Sequence, residues 1–90
     1  MKEGHIWIKG AITAESNIII RRQINSFGED VRKIIVHIDS HGGDVHAGNS
    51  IYNILKSSGK KIEVLIESEC QSIATFIMLA AESGNLKVTV

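Results

Sequence analysis

Short runs of β-branched residues alternate along this chain with stretches whose apolar residues recur every three or four positions, and few folds accept that alternation. His5-Ile6-Trp7-Ile8-Lys9 changes face at every residue, as a half-buried strand does, and Gly10 closes it. From Ala14 to Phe27 the apolar positions Ile20, Ile24 and Phe27 share a helical face opposite Arg21, Arg22 and Gln23, with Gly28 as C-cap. Ile34 to Asp39 is β-branched and mostly apolar, the composition of a strand covered on both faces. Ser40-His41-Gly42-Gly43-Asp44 is a run of turn formers. Ala47, Ile51, Ile54 and Leu55 mark a second helix ending near Ser58-Gly59, and Lys61 to Glu67 reads as another buried strand. Ile73, Phe76, Ile77, Ala80 and Ala81 form the stripe of a third helix, stopped by Ser83-Gly84, and Leu86 to Val90 starts one more strand. Strands and helices taking turns predict an α/β fold, a mainly parallel sheet joined by right-handed crossovers. The last strand has no helix after it, which predicts a gene product longer than this chain.

Composition excludes several functions. A chain of 90 residues makes one small domain, which buries roughly 60–65% of its unfolded surface. Ten basic residues balance ten acidic ones without a basic cluster, so no field draws the protein to nucleic acid. Cys70 is the single cysteine and cannot form an internal disulfide, which fits a reducing compartment. The start of the chain lacks a signal-peptide core, and the longest apolar run, Ile73 to Ala81, is too short to cross a bilayer. These features predict a cytoplasmic protein with no membrane association.

In α/β sheets, ligands collect beyond the carboxyl ends of the strands, where loops enter helices. Two loops qualify. Asp39 to Asp44 carries paired glycines, which turn backbone N–H groups outward and admit a close backbone approach. Ser68 to Ser72 leads into an apolar helix, where a serine hydroxyl meets the positive end of the helix dipole. Acyl transfer needs such a hydroxyl and two donors for the tetrahedral oxyanion. Each loop also has an ordinary reading. Gly-Gly is a common tight turn, and Ser72 is an acceptable N-cap. Ser68-Glu69-Cys70-Gln71 matches a capping box, which would place Ser72 inside the first helical turn.

The stretch Ile38 to Tyr52 resembles the Gly-Gly loop and following helix of the Clp protease proteolytic-subunit family, through Ser40, Gly42, Gly43, Val45, Ala47, Gly48, Ile51 and Tyr52. Gln71-Ser72-Ile73-Ala74 and the apolar residues after it resemble that family's nucleophile helix, and the two motifs keep the family's spacing without a gap. The resemblance covers nearly the whole chain. It implies a ClpP/crotonase-like superhelix, with residues 1–90 as the amino-terminal part of one protease head domain. It implies Ser72 as nucleophile, the N–H groups of Gly43 and Ile73 as oxyanion hole, and Gly42, Gly43, Asp44 and Val45 as a strand-adding track for a polypeptide substrate. A homo-oligomer when full length and an ATPase unfoldase partner are further implications, with no cofactor. Asp44 in place of a small residue also resembles phage and prophage relatives.

His41 stands where the family has proline, and Ser68 to Gln71 stand where it has small residues, which predicts a looser turn and a more crowded acyl pocket. The resemblance places the catalytic histidine roughly 25 residues after the serine and the aspartate later still, so the 90 residues alone should hydrolyse peptides feebly. His41 is the nearest internal substitute, though an exposed loop histidine is the ordinary reading. His37, His41, His46 and Cys70 lack a metal-binding spacing, so no metal is expected. Cys70 reads as a small buried hydrophobe, and Trp7 and Tyr52 as core or interface anchors. Two other readings compete: a catalytically inactive assembly subunit, and a crotonase-type protein binding acyl-thioesters.

Overall fold

The computed structural model describes residues 2–81 and the backbone of residues 86–88. The elements are β1 (Lys2–Ile12), α1 (Ala14–Ser26), β2 (Val31–Gly43), α2 (Val45–Ser57), β3 (Lys61–Cys70), α3 (Ile73–Met78) and β4 (Leu86–Val88). The four strands form one sheet in the order β1-β2-β3-β4, and every pairing is parallel. The expected order of elements and the parallel sheet are both present. Each crossover advances by one strand in the same direction, which stacks the helices on one face as a superhelix.

The core forms where that face meets the helices. Ile6 and Ile8 of β1, Ile34, Val36 and Ile38 of β2, and Ile62 and Val64 of β3 share the same side of the pleat. They pack on Ile20 and Ile24 of α1, Ala47, Ile51 and Leu55 of α2, and Ala74 and Ile77 of α3. Ile20 and Ile24 are buried as the helical spacing predicts, while Ile18 and Ile19 on the other face remain exposed. The opposite face of the sheet carries polar and aromatic side chains, among them His5, Trp7, His37, Glu63 and Glu67.

Several element boundaries differ from expectation, each for a local reason. Gly10 does not close β1, which continues to Ile12 through a register shift between Lys9 and Ala11. Gly28 is not the cap of α1: Phe27 occupies the C-cap in an extended conformation and packs against the core. At its start Thr13 and Ser16 form a reciprocal capping box. The turn formers Ser40 to Gly43 remain strand, because β3 pairs as far as Ser40 and β1 goes on pairing with Gly42 and Gly43. The third helix is one short element, with Leu79 as C-cap and Ala80 buried just beyond it. The expected stop at Ser83-Gly84 and the last two residues of the final strand lie outside the described residues. Among the described residues no helix is long and apolar enough to cross a membrane.

Candidate active site

Because all strands run the same way, the carboxyl ends of β2 and β3 emerge side by side, and the two candidate loops meet there. Ser40 of β2 pairs with Cys70 of β3, and the Gln71 N–H donates to the Ser40 carbonyl at 3.0 Å. A single residue, Ser72, separates Gln71 from the body of α3 and makes the turn. Its backbone sits at φ 55° and ψ −130°, and among the described residues it is the one non-glycine with positive φ. A side chain held in this region costs of order 1–3 kcal/mol and persists where surrounding structure enforces it. A strained serine between a strand and a helix is the geometry of a nucleophile elbow, which lifts the hydroxyl clear of the sheet.

The two readings left open for this serine now separate. Ser68 lies within β3, so it caps nothing, and Ser72 itself occupies the N-cap position of α3. Yet the Ser72 hydroxyl makes no capping bond, and the residue is exposed. The Ala74 N–H donates to Gln71 and the Thr75 N–H to Ser72 through their carbonyls, whereas the Ile73 N–H has no backbone acceptor among the described residues.

The glycine loop closes over this elbow. A Cβ on Gly42 would fall 2.7 Å from Ser72 Cβ and 3.2 Å from Ser72 Oγ, so any side chain there collides with the serine. Gly42 has φ 107° and Gly43 φ 151°, both in the region that favours glycine, and a Cβ on Gly43 would overlap the Ile12 carbonyl. Asp44 is fixed in another way. Its N–H donates to Ile12 at 2.8 Å, and its carboxylate caps α2 by accepting from the Ala47 N–H at 2.9 Å. Val45 begins α2 and is half exposed. Of the four residues expected to line a substrate, Gly42 abuts the elbow, Gly43 packs against the Ile12 backbone, and Asp44 is committed to the fold. His41 is exposed at the rim.

Sequence reasoning missed two supports of this site. Gly48 of α2 gives up its side chain to Ile73, since a Cβ there would overlap Ile73 Cγ1, so α3 seats directly on α2. Ser40 lies wholly buried beneath the loop, its hydroxyl donating to the Gly10 carbonyl at 2.6 Å and accepting from the Gly42 N–H at 3.1 Å. In the sequence Ser40 and Gly48 stand out only as motif residues of the resemblance, with no role attached to either. A third group lies on the helix-free face. Trp7 stacks on His37 with ring centroids 4.7 Å apart, and His5 Nδ1 is 2.9 Å from His37 Nε2. His37 Nδ1 lies 3.3 Å from Glu67 Oε1. The parallel register that pairs Trp7 with His37 brings these rings together, and nothing in their sequence spacing signals it.

Among the described residues no group of three or more His, Cys, Asp or Glu side chains could hold a metal ion. Cys70 is half-buried and packs against the core, and burial raises its thiol above the ordinary value of 9.0, which keeps it protonated and unreactive at neutral pH.

A parallel sheet wound in one direction, with a strained serine between its third strand and third helix, defines a class: the α/β superhelix of the Clp proteases. The chain belongs to the Clp protease family, whose model matches residues 1–89. It is 33% identical over 87 residues to the ATP-dependent Clp protease proteolytic subunit 2 of Borreliella burgdorferi, an overlap covering 94% of this chain and 44% of that protein. It is 27% identical over 85 residues to the ATP-dependent Clp protease proteolytic subunit of Carsonella ruddii, covering 93% and 44%. The fold superposes on ClpP1 from Listeria monocytogenes with a TM-score of 0.78 at 27% identity, across 90% of this chain and 48% of that one. The chain thus spans under half the length of the relatives it matches.

Proposed function

We propose that this chain carries the nucleophile and oxyanion hole of a Clp-type serine endopeptidase. The observation that supports this most directly is the left-handed Ser72, free of any capping duty and set against the Gly42 turn. Ser72 Oγ attacks a peptide carbonyl while its proton passes to a general base, and the Gly43 and Ile73 N–H groups hold the resulting oxyanion. Collapse breaks the C–N bond, the protonated amine leaves, and water then hydrolyses the acyl ester and restores the serine. In this proposal the base is a histidine, oriented by an aspartate, both in the part of the relatives' length that this chain does not span. The 90 residues alone are therefore expected to turn over peptide slowly, if at all. A polypeptide substrate would lie along Gly42 and Gly43, with the exposed Val45 side chain as an apolar neighbour. Work with an ATPase unfoldase is part of this proposal, supported by the two relatives being named as ATP-dependent, and the proposal extends to a homo-oligomer in a cytoplasmic setting.

A fluorophosphonate probe tests the reading on the full-length protein. The probe labels Ser72 covalently, Ser68→Ala leaves labelling intact, and Ser72→Ala abolishes it. Folded protein that takes up no label would overturn the enzyme reading in favour of an inactive assembly subunit. Coenzyme A binding by calorimetry would point instead to acyl-thioester chemistry.

A further inference from the structure

We infer that Ser40 is the positioning residue of the candidate oxyanion hole, setting the Gly-Gly loop and the serine elbow in register with each other; this rests on the function proposed above. Ser40 has no exposed surface, and its hydroxyl bridges two backbones, donating to the Gly10 carbonyl and accepting from the Gly42 N–H. A hydroxyl has one proton, and this one is committed to Gly10, so the side chain cannot rotate without losing both bonds. Fixing the Gly42 N–H fixes the peptide plane before Gly42, and the next plane carries the Gly43 N–H. The backbone of Ser40 acts on the other loop. Its carbonyl accepts from the Gln71 N–H at 3.0 Å, one residue before Ser72 and two before the Ile73 donor. One buried residue thereby ties together both proposed donors and the nucleophile.

Two sheet irregularities converge at this point. The β1–β2 register shifts between Lys9 and Ala11, and the β2–β3 register shifts between Ile38 and Ser40. Where ladders slip, regular pairing no longer dictates where the strand ends point, and a side-chain bridge can set it. Replacing the hydroxyl with hydrogen withdraws the acceptor from the buried Gly42 N–H and the donor from the Gly10 carbonyl.

The experiment measures saturable fluorophosphonate labelling of the full-length protein and separates the maximal labelling rate from the half-saturating probe concentration. Ser40→Ala is expected to lower the maximal rate about 10–100-fold with half-saturation unchanged, as for a misplaced oxyanion donor. Ile24→Val removes a methyl from the buried face of α1, lowers stability, and leaves the labelling rate of folded protein unchanged. Ser40→Cys preserves the volume with a weaker donor and acceptor, gives an intermediate rate, and decides the matter if the alanine variant does not fold. A wild-type maximal rate in folded Ser40→Ala, or in Ser40→Cys where the alanine variant is unfolded, overturns the role of Ser40 alone. Wild-type protein that takes no label overturns the nucleophile reading and this inference with it.

Discussion

A serine at the entrance to a helix can cap it or offer its hydroxyl outward, and the backbone of Ser72 selects the second. At φ 55° its side chain leaves the direction in which a cap would reach the helical N–H groups, and no capping bond forms. The same strain makes the neighbouring glycines sensitive. Gly42→Ala drives a Cβ to 2.7 Å from Ser72 Cβ, so this variant is expected to lose fluorophosphonate labelling at least about tenfold while remaining folded. Gly43→Ala overlaps the Ile12 backbone and has no rotamer to escape with, so it is expected to lower unfolding free energy by about 1–3 kcal/mol in urea titration. Candidate residues at this scale were partly legible. Gly42, Gly43 and Ser72 stand out by type and spacing. Ser68 looked like a competing cap because a capping-box motif is local, and pairing with β2 carried β3 past it. Ser40 was not singled out for a role, since a buried hydroxyl bridge depends on partners 30 residues earlier and two residues later.

At the level of elements, the alternation of periods predicted every strand and helix in order but ended β1, β2 and β3 too early and carried α3 too far. Strand propensity ends where turn formers begin, whereas a central strand continues as long as its neighbours offer partners. β2 accordingly runs through Ser40 and His41 to Gly43. Helix starts obey local chemistry and can be tested locally. Asp44 caps α2 through the Ala47 N–H, so Asp44→Ala is expected to cost about 1 kcal/mol in the same titration, with Asp44→Ser recovering most of it. Because that carboxylate serves the helix, Asp44→Ser should leave labelling of Ser72 unchanged, which separates its structural use from a part in substrate binding.

Over the molecule as a whole, one sheet separates two environments, a dry face under three helices and a polar face bearing stacked rings and ion pairs. Two groups make stability depend on alkaline pH. Burial raises the Cys70 thiol above its ordinary 9.0, and the hydrogen bond that Lys33 donates to Glu63 raises Lys33 above its ordinary 10.5. Both bind their proton more tightly folded than unfolded. Their contribution is therefore complete below the ordinary values and is lost as pH climbs through the raised ones. Thermal melting should show a plateau up to about pH 9 and a decline above it, and Cys70→Ala should hold the plateau closer to 10.5. The bond from Gln71 to Ser40 has one more consequence. It fixes the count between the last rung of the ladder, at Cys70, and the elbow at Ser72, a span with the single residue Gln71 between them. Inserting a residue between Cys70 and Ser72 would turn the serine to the opposite side of the chain, whereas the shifted register opposite Ile38 and Ser40 already takes up extra residues upstream in β3.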